Sequence, residues 1–309
     1  MLCYTVLPEE EGRRLREILR GPMRVSYSAM KSAKWNGRIY LNGENAPVDL
    51  RVRAGDRVEV AEAEKDPVFV PEPYALPLRI PYEDEYLMVV DKPAPLASQS
   101  SARHPSDSLE NALYARLGCP EGFIFRPVNR LDKGTSGLMV IARGAHAQDL
   151  LQRELHSSDF LREYLALTEG VPSPAEGLLD FPIAKVSAAS LRREVSPNGK
   201  PARTRYRVVA EVPGGALVRL RLETGRTHQI RVHLSHIGCP VRGDFLYGRE
   251  DPAFPGRFAL HSAYLRLKHP FSGETVEIES IPDFAAEGLR RNAPPAEDGA
   301  EFDIPDGKR

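Results

Sequence analysis

The sequence predicts an α+β fold in two parts: a small α+β unit at the N-terminus, and a larger unit with a mainly antiparallel, mixed sheet flanked by helices. Apolar residues recur at helical spacing at Leu15, Ile18 and Leu19, which predicts a short helix near the start of the chain. Residues 203–222 alternate instead between apolar and polar side chains in two runs around a Pro-Gly-Gly turn, a pattern that indicates an antiparallel hairpin. A proline-rich stretch lies between these regions and predicts the boundary between the two parts.

The overall composition is that of a soluble globular protein. Of the 309 residues, 41% are hydrophobic and 28% are charged, and no run approaches the roughly 18 apolar residues that a membrane span requires. The first residues lack a basic segment followed by an apolar one, so no secretion signal is expected. Cys3, Cys119 and Cys239 are scattered and odd in number, which favours reduced thiols. We therefore expect a cytoplasmic protein with no membrane partner.

Residues 1–65 are expected to form the first unit. After the helix near Leu15, the pattern predicts a second short helix over 28–34, a strand over 37–43 and another strand over 55–60. Residues 13–65 carry twelve Lys and Arg against seven acids, a balance that suits contact with phosphate. The alternative is an ordinary small α+β appendage.

Five prolines in residues 66–81 predict an extended linker without helix or strand. The second unit is expected to cover residues 82–284. Its predicted elements are a strand at 86–90, a helix at 109–117 capped by Asp107 or Ser108, a strand at 138–142, a helix at 145–156, a strand at 162–169, the hairpin of 203–222, a helix that Gly238 ends, and a closing hairpin of 261–268 with 274–278. Residues 285–309 are polar and are expected to form a disordered tail.

The segment 129–137, Asn-Arg-Leu-Asp-Lys-Gly-Thr-Ser-Gly, is the centre of the candidate site. It places Asp132 between Arg130 and Lys133, which would keep the carboxylate ionised and attract phosphate. Gly134 and Gly137 permit backbone angles that other residues avoid. The chemistry alone leaves two readings open: Asp132 caps a tight turn before a buried strand, or it is a functional carboxylate held at a fixed place.

Basic residues are concentrated in one later part of the chain. Between Lys185 and Arg231 there are eleven Lys and Arg against three acids. A solvated surface is the ordinary explanation, but the other signals favour a surface that binds RNA phosphate. Arg203 and Arg205 stand on the arginine-rich face of the predicted hairpin.

Three ordered segments resemble the motifs of RluA-type pseudouridine synthases. Residues 129–137 resemble the motif H-R-L-D-x-x-T-S-G, with Asn129 where histidine is commoner. Residues 162–170 resemble K/R-x-Y-x-A-L-x-x-G, and residues 222–234 resemble the third motif, followed by Gly-Asp and Tyr-Gly pairs at 243–248. The domain also opens with a similar Y-E-D…V-V-D-K-P segment, although Ser98–Ser100 stand where an H-P pair is usual.

The resemblance implies an enzyme that isomerises uridine to pseudouridine in structured RNA, with ribosomal RNA the first choice and transfer RNA the second. It implies that Asp132 is the catalytic residue, that Tyr164 lines the active site, and that Arg231 pairs with the aspartate. A guanidinium that holds a carboxylate bidentately is the geometry expected for such a pair.

The resemblance also implies RNA contacts. Arg130 would fill the space left by an everted base, and phosphate contacts are expected from Lys133, Arg203, Arg205 and Arg226. Residues 1–65 resemble the RNA-binding module of the S-four ribosomal-protein type. No cofactor or metal is expected, because the reaction transfers no electrons or groups between molecules and the histidines at 228, 233 and 236 lack zinc spacing. We expect a monomer.

Two other classes of protein compete with this reading. A non-catalytic RNA-binding or ribosome-assembly factor would need neither Asp132 nor Tyr164 nor Arg231 together. A glycoside hydrolase breaks the same type of bond but usually needs two facing carboxylates, whereas Asp132 is the only acid in such a setting.

Overall fold

The computed structural model describes residues 1–61, 70–155 and 157–286. Within those ranges, no helix is both long enough and apolar enough to span a bilayer.

The N-terminal unit is a four-stranded antiparallel sheet with two helices. Its elements are β1 (Leu2–Thr5), α1 (Leu15–Arg20), α2 (Tyr27–Trp35), β2 (Ile39–Leu41), β3 (Glu44–Asn45) and β4 (Arg57–Val60), with the strand order β1-β4-β2-β3. The apolar face predicted for α1 is fully buried, and the Ser26 hydroxyl caps α2 by accepting a hydrogen bond from the Ala29 amide at 3.1 Å. The sequence pattern did not predict β1, because this short strand depends on pairing with β4 more than fifty residues later.

The larger unit contains one nine-stranded sheet. Its strands are β5 (Arg79–Glu83), β6 (Leu87–Lys92), β7 (Ser136–Ala142), β8 (Leu161–Glu169), β9 (Glu176–Asp180), β12 (Arg203–Val212), β13 (Gly215–Leu222), β14 (Leu260–Lys268) and β15 (Thr275–Glu279). The order is β5-β6-β7-β14-β8-β13-β12-β9, with β15 also on β14. In the part of the chain that the structure describes, β7 and β14 form the one parallel pair of this sheet. The predicted α+β class with a mainly antiparallel, mixed sheet is confirmed, as are both predicted hairpins.

A separate two-stranded pair and three helices complete the unit. They are β10 (Ile183–Lys185) with β11 (Arg193–Val195), α3 (Leu109–Arg116), α4 (Ala145–Glu154) and α5 (Gln229–His236). Of the two predicted caps of α3, the structure uses Ser108. Gly238 adopts a φ of +77° just beyond α5, which suits the predicted helix end.

Each unit has its own hydrophobic core. The N-terminal core contains residues between Val6 and Val60, and the main core of the larger unit contains residues between Met88 and Leu260. In the larger unit, Tyr164 of β8, Leu220 of β13 and Tyr206 of β12 face the side of the sheet on which α5 packs.

The structure describes parts of the predicted linker and of the predicted tail. Residues 79–81 of the expected linker form the start of β5, while residues 70–78 contain no helix or strand. Phe284 and Ala285 pack on the core beside Phe254. The other residues of the predicted linker and tail, 62–69 and 287–309, lie outside the described residues, as does His156 at the end of the predicted helix.

Candidate active site

A cavity of about 900 Å³ opens beside β8, the segment before β7 and the segment before α5. It is lined mainly by polar side chains. Among them are four arginines and one carboxylate: Arg130, Arg162, Arg226, Arg231 and Asp132. Asp132, Arg231 and Tyr164, the three residues that the motifs predicted for the centre of the site, all line this cavity.

Asp132 is held in a tight turn before β7. The Thr135 amide donates to the Asp132 carbonyl at 3.1 Å, and the side chain of Asp132 is 26% exposed. Gly137 has a φ of +107°, and a Cβ there would lie 2.3 Å from the Ser262 carbonyl oxygen. Gly134 has no positive φ, so the predicted backbone freedom is not its role; a Cβ there would collide with the Phe258 ring at 2.6 Å.

Two side chains that depart from the family pattern anchor this segment. The buried Asn129 accepts a hydrogen bond from the Val140 amide at 2.8 Å, so it fixes the segment to β7. Ser98 donates to the Leu131 carbonyl at 2.6 Å and accepts from the Leu131 amide at 3.2 Å. Both departures therefore have a structural role directly beside Asp132.

Lys92 also holds the segment around Asp132 in place through hydrogen bonds. Its side chain is fully buried, and Nζ donates to the carbonyls of Leu96 at 2.8 Å, Pro93 at 3.2 Å and Lys133 at 3.5 Å. Burial lowers the pKa of Lys92 to about 7, although the Asp132 carboxylate acts in the opposite direction. The sequence contained a signal for this residue in its Asp-Lys-Pro segment, but the pattern assigned it no role.

Arg231 pairs with Asp132 as predicted, but not in the predicted geometry. Its Nη1 donates one hydrogen bond to Asp132 Oδ2 at 3.0 Å. The bidentate contact goes instead to Asp244, with Nε to Oδ2 at 2.6 Å and Nη2 to Oδ1 at 2.8 Å. The guanidinium also lies over the rings of Phe258 and Tyr247, with its carbon 4.2 and 5.0 Å from their centroids. Two carboxylates and two aromatic rings therefore hold the guanidinium in place.

Asp244 was not among the site residues that the sequence predicted. It is fully buried, and its Oδ1 also accepts from the amides of Leu246 and Tyr247 at 3.0 and 3.2 Å. Burial alone would lower the pKa of Arg231, but Asp244 and then Asp132 outweigh burial and raise it. The available signal was the Gly-Asp pair that trails the third motif.

His228 is a further neighbour of the carboxylate. It adopts a left-handed conformation before α5, and its Nε2 lies 3.8 Å from Asp132 Oδ2. Its Nδ1 lies 2.8 Å from the Tyr247 hydroxyl, which accepts from the Arg193 amide. Because burial lowers the pKa of His228, with Asp132 opposing, the imidazole is neutral at pH 7.

Tyr164 lines the cavity from β8. Its side chain is buried, and burial raises the pKa of its hydroxyl, so the phenol stays protonated at neutral pH. A hydrogen bond joins it to the side chain of Ser262, the residue opposite in β14.

The other predicted site residues divide into two groups. Arg130 is exposed at the cavity, and Arg226 lines it while donating from Nε to the Pro201 carbonyl at 2.9 Å. Lys133 is exposed, with Nζ 3.4 Å from His104 Nε2. Among the described residues, none of these three forms an ion pair with Asp132.

Arg203 and Arg205 do not reach the cavity. The residue between them, Thr204, contacts α5 through Gln229 and His233, and neighbouring side chains in a strand point to opposite faces. The two arginines therefore lie on the far side of the sheet, where each pairs with Glu223.

No cluster of three or more His, Cys, Asp or Glu that could hold a metal ion occurs in residues 1–61, 70–155 and 157–286.

Comparison with known proteins gives one consistent family. Residues 86–236 match the family model described as RNA pseudouridylate synthase. The chain is 37% identical over 305 residues to "Ribosomal large subunit pseudouridine synthase D" of Haemophilus influenzae, covering 91% of this chain and 92% of that protein. It is 34% identical over 306 residues to "Uncharacterized RNA pseudouridine synthase YlyB" of Bacillus subtilis, covering 93% and 98%.

A solved structure agrees with these relatives. "Human RNA Pseudouridylate Synthase Domain Containing 1" superposes with a TM-score of 0.55 at 28% identity, covering 67% of this chain and 84% of that one. The resemblance seen in the motifs is therefore confirmed over most of the chain, and the protein is an isomerase that makes pseudouridine in RNA. The chain belongs to the RNA pseudouridylate synthase family.

Proposed function

We propose that this enzyme isomerises a specific uridine of large-subunit ribosomal RNA, with Asp132 as the catalytic residue. The observation that carries the assignment is the position of Asp132, which is the one carboxylate among the described residues that line the cavity. The relatives named for the ribosomal large subunit, in Haemophilus influenzae and in Escherichia coli at 37% identity, support the choice of RNA. Transfer RNA is the second candidate substrate.

The reaction moves one bond within a nucleotide. The C1′–N1 bond of uridine breaks, a C1′–C5 bond forms, C5 loses its proton and N1 gains one, so no atom leaves or joins the RNA. A carboxylate near the ribose can act as nucleophile at C1′ or as base for the 2′ hydrogen. Arg231 holds Oδ2 of Asp132, whereas Oδ1 has no hydrogen-bond partner among the described residues. That oxygen is the one we assign to the ribose.

Arg231 and Tyr164 are proposed to support this carboxylate and the base. Arg231 orients the Asp132 carboxylate, and Asp244 keeps Arg231 in place. Tyr164 offers a neutral aromatic face beside Asp132, on which the detached uracil can stack while it turns.

A uridine in folded RNA must leave its stack to reach the cavity, which costs a few kcal/mol. We propose that Arg130, exposed at the cavity, fills the space that the base leaves. Arg226 and Lys133 are suited to phosphate contacts near the opening. The far-side arginines, Arg203 and Arg205, would meet RNA only if it wraps beyond the cavity.

The N-terminal unit is proposed to be a separate RNA-binding domain, covering residues 1–65. It has its own core, and its two helices precede β2 and β4, as the sequence predicted. We further propose that the enzyme acts as a monomer in the cytoplasm, where bacterial ribosomal RNA is modified. A non-catalytic assembly factor is disfavoured, because the Asp132–Arg231–Asp244 arrangement would serve no purpose in a protein that only binds.

Substitution of Asp132 tests the catalytic assignment. Asp132→Ala should bind RNA within about threefold of the wild-type Kd yet form no pseudouridine, because Arg231 remains held by Asp244. Carbodiimide mapping of large-subunit and transfer RNA, from cells with and without the gene and after reaction with pure enzyme, would identify the uridine. Asp149→Ala, which removes an exposed carboxylate of α4, is the matched control and should keep full activity. Turnover by Asp132→Ala would refute the assignment.

A further inference from the structure

Arg162 is a buried cation of the cavity wall, and no carboxylate among residues 1–61, 70–155 and 157–286 pairs with it. It is 6% exposed, and it lies on β8 two residues before Tyr164, so both side chains point to the same face of the sheet. Among the described residues, no carboxylate forms an ion pair with it, and its Nε has no hydrogen-bond partner. Its one hydrogen bond in that part of the chain is a long contact of 3.4 Å from Nη2 to the Leu155 carbonyl.

Arg162 differs from Arg231 in how its charge is balanced. Arg231 is equally buried, but two carboxylates, Asp132 and Asp244, balance its charge within the protein. Leaving a charge buried and unpaired costs several kcal/mol, so such a group persists where something else supplies the counter-charge. For Arg162, no such group is present among the described residues.

The position of Arg162 indicates where that counter-charge comes from. Its Nη1 would lie 3.8 Å from a Cβ at Gly225, and Gly225 and Thr227 are exposed at the cavity. One end of the guanidinium therefore lies close to the opening, where an RNA backbone would pass. The absence of a side chain at Gly225 lets that backbone approach closely.

A second feature of the same wall favours an anion. α5 begins at Gln229 without a side-chain cap and without an acid in its first turn, and residues 227–231 line the cavity. The Gln229 amide donates to the Arg226 carbonyl at 3.1 Å, so the anion would meet the amides that follow it and the partial positive charge of the helix N-terminus. Uracil is neutral before the C1′–N1 bond breaks, whereas a phosphodiester is always charged.

We propose that Arg162 binds a phosphodiester group flanking the target uridine, and so forms a phosphate subsite inside the cavity together with the start of α5. This inference rests on the proposed function of the cavity. It assigns to Arg162 a role in holding the RNA and not in the bond rearrangement.

The test measures binding of an unmodified large-subunit ribosomal RNA transcript over a series of KCl concentrations. Arg162→Met should raise Kd about tenfold or more. The slope of log K against log salt should become shallower by about 0.7 to 0.9 for the lost phosphate contact. Because the contact is equally strong before and during the reaction, kcat at saturating RNA should stay within about threefold of wild type.

The melting temperature of the protein without RNA distinguishes a phosphate-binding arginine from a purely structural one. Since the wild-type cation is unpaired, Arg162→Met should have a Tm no lower than that of wild type. Arg162→Lys keeps the charge and should keep the salt slope, with a smaller loss of affinity. If the Met variant does not fold, Arg162→Gln retains a donor for the Leu155 carbonyl and takes its place. Arg143→Met, which removes an exposed arginine paired with Glu83, is the matched control and should leave Kd and slope unchanged.

An unchanged Kd and salt slope in both neutral variants would overturn the proposal, whatever happens to kcat. A loss of the slope in Arg162→Lys would overturn it as well. The experiments distinguish the two claims. If the Arg162 variants bind RNA like wild type while Asp132→Ala is inactive, only the phosphate subsite is refuted. If Asp132→Ala is active, the catalytic assignment is refuted and the phosphate subsite is not.

Discussion

At the scale of single residues, the site depends on how one guanidinium is divided between two carboxylates. Arg231 donates two hydrogen bonds to the fully buried Asp244 and one to the partly exposed Asp132. Asp244 therefore fixes Arg231, and the proposed contact of Asp132 with the ribose uses the oxygen that Arg231 does not hold. If Arg231 held both oxygens of Asp132, neither would be open for this proposed role.

Asp244→Asn tests this division. An amide nitrogen would face the guanidinium, so the variant should lose about 3 kcal/mol or more in the free energy of unfolding, as expected when a buried pair is broken. Arg231 would then be free to turn toward Asp132, so kcat should fall at least about tenfold while Kd for RNA changes little. Urea unfolding and single-turnover assays measure the two effects.

Asp159→Asn is the matched control, because it breaks an exposed pair with Lys268 at 2.9 Å. Exposed pairs contribute about 0 to 1 kcal/mol, so its stability and kcat should remain near wild type. An Asp244→Asn variant with wild-type kcat would show that Arg231 needs no second carboxylate.

The motifs could predict Asp132, Tyr164 and Arg231 because these residues recur in a fixed local pattern. They could not predict the roles of Lys92, Asp244 and Arg162, since those depend on burial and on partners distant in sequence. Lys92 contacts the carbonyl of Lys133 across forty residues, and nothing in the sequence marks Arg162 as a cation without a counter-charge. Asn129, which stands where histidine is commoner in the family motif, accepts a hydrogen bond from the Val140 amide, a contact that the sequence did not predict.

At the scale of elements, the seam between α5 and β12 positions the arginine. His233 of α5 is fully buried, with Nδ1 3.0 Å from the Thr204 hydroxyl and Nε2 3.0 Å from the Phe181 carbonyl. A carbonyl only accepts, so Nε2 carries the proton and Nδ1 accepts from Thr204. The seam therefore requires a neutral imidazole.

This requirement predicts an acid-sensitive stability. Burial lowers the pKa of His233 below its ordinary value, with the Phe181 carbonyl opposing. A histidine whose folded pKa is depressed contributes stability that is complete above pH 6.5 and is lost as the pH falls through the folded pKa. Denaturant unfolding should show a free energy that declines from pH 7 to pH 5.

His233→Gln should reduce that slope, because the amide can accept from Thr204 and donate to Phe181 without titrating. Part of the slope should remain, since burial also lowers the pKa of His228 and of His261. The same slope in His233→Gln and in wild type would contradict this account of the seam.

Elements with local patterns were predictable, and elements made by distant pairing were not. The β12–β13 hairpin has alternation and a turn within twenty residues. In contrast, β1 pairs with β4, more than fifty residues later. The strand β5 was not predicted for a different reason: it pairs with the next strand, β6, but it begins inside the proline-rich stretch. Prolines at the edge of a sheet are tolerated because no partner needs their missing N–H, so proline density did not exclude a strand at 79–83.

At the scale of the whole molecule, the two separate cores agree with the proposed division between RNA binding and chemistry. The cavity is lined by residues of the larger unit, and the N-terminal core shares no residue with the core beneath it. If the first unit binds RNA as proposed, it can change the affinity for RNA without altering the geometry at Asp132.

Removal of residues 1–65 should accordingly weaken RNA binding more than it slows the reaction on saturating RNA. The lost phosphate contacts raise Kd and reduce the salt dependence of binding, while the Asp132–Arg231–Asp244 arrangement, which lies wholly beyond residue 130, keeps kcat within a few fold. Filter binding at several KCl concentrations and single-turnover rates would measure both. Equal affinity of the truncated and full-length proteins would show that the cavity side alone holds the RNA, and Arg162, Arg130 and Arg226 would then have to supply the salt dependence.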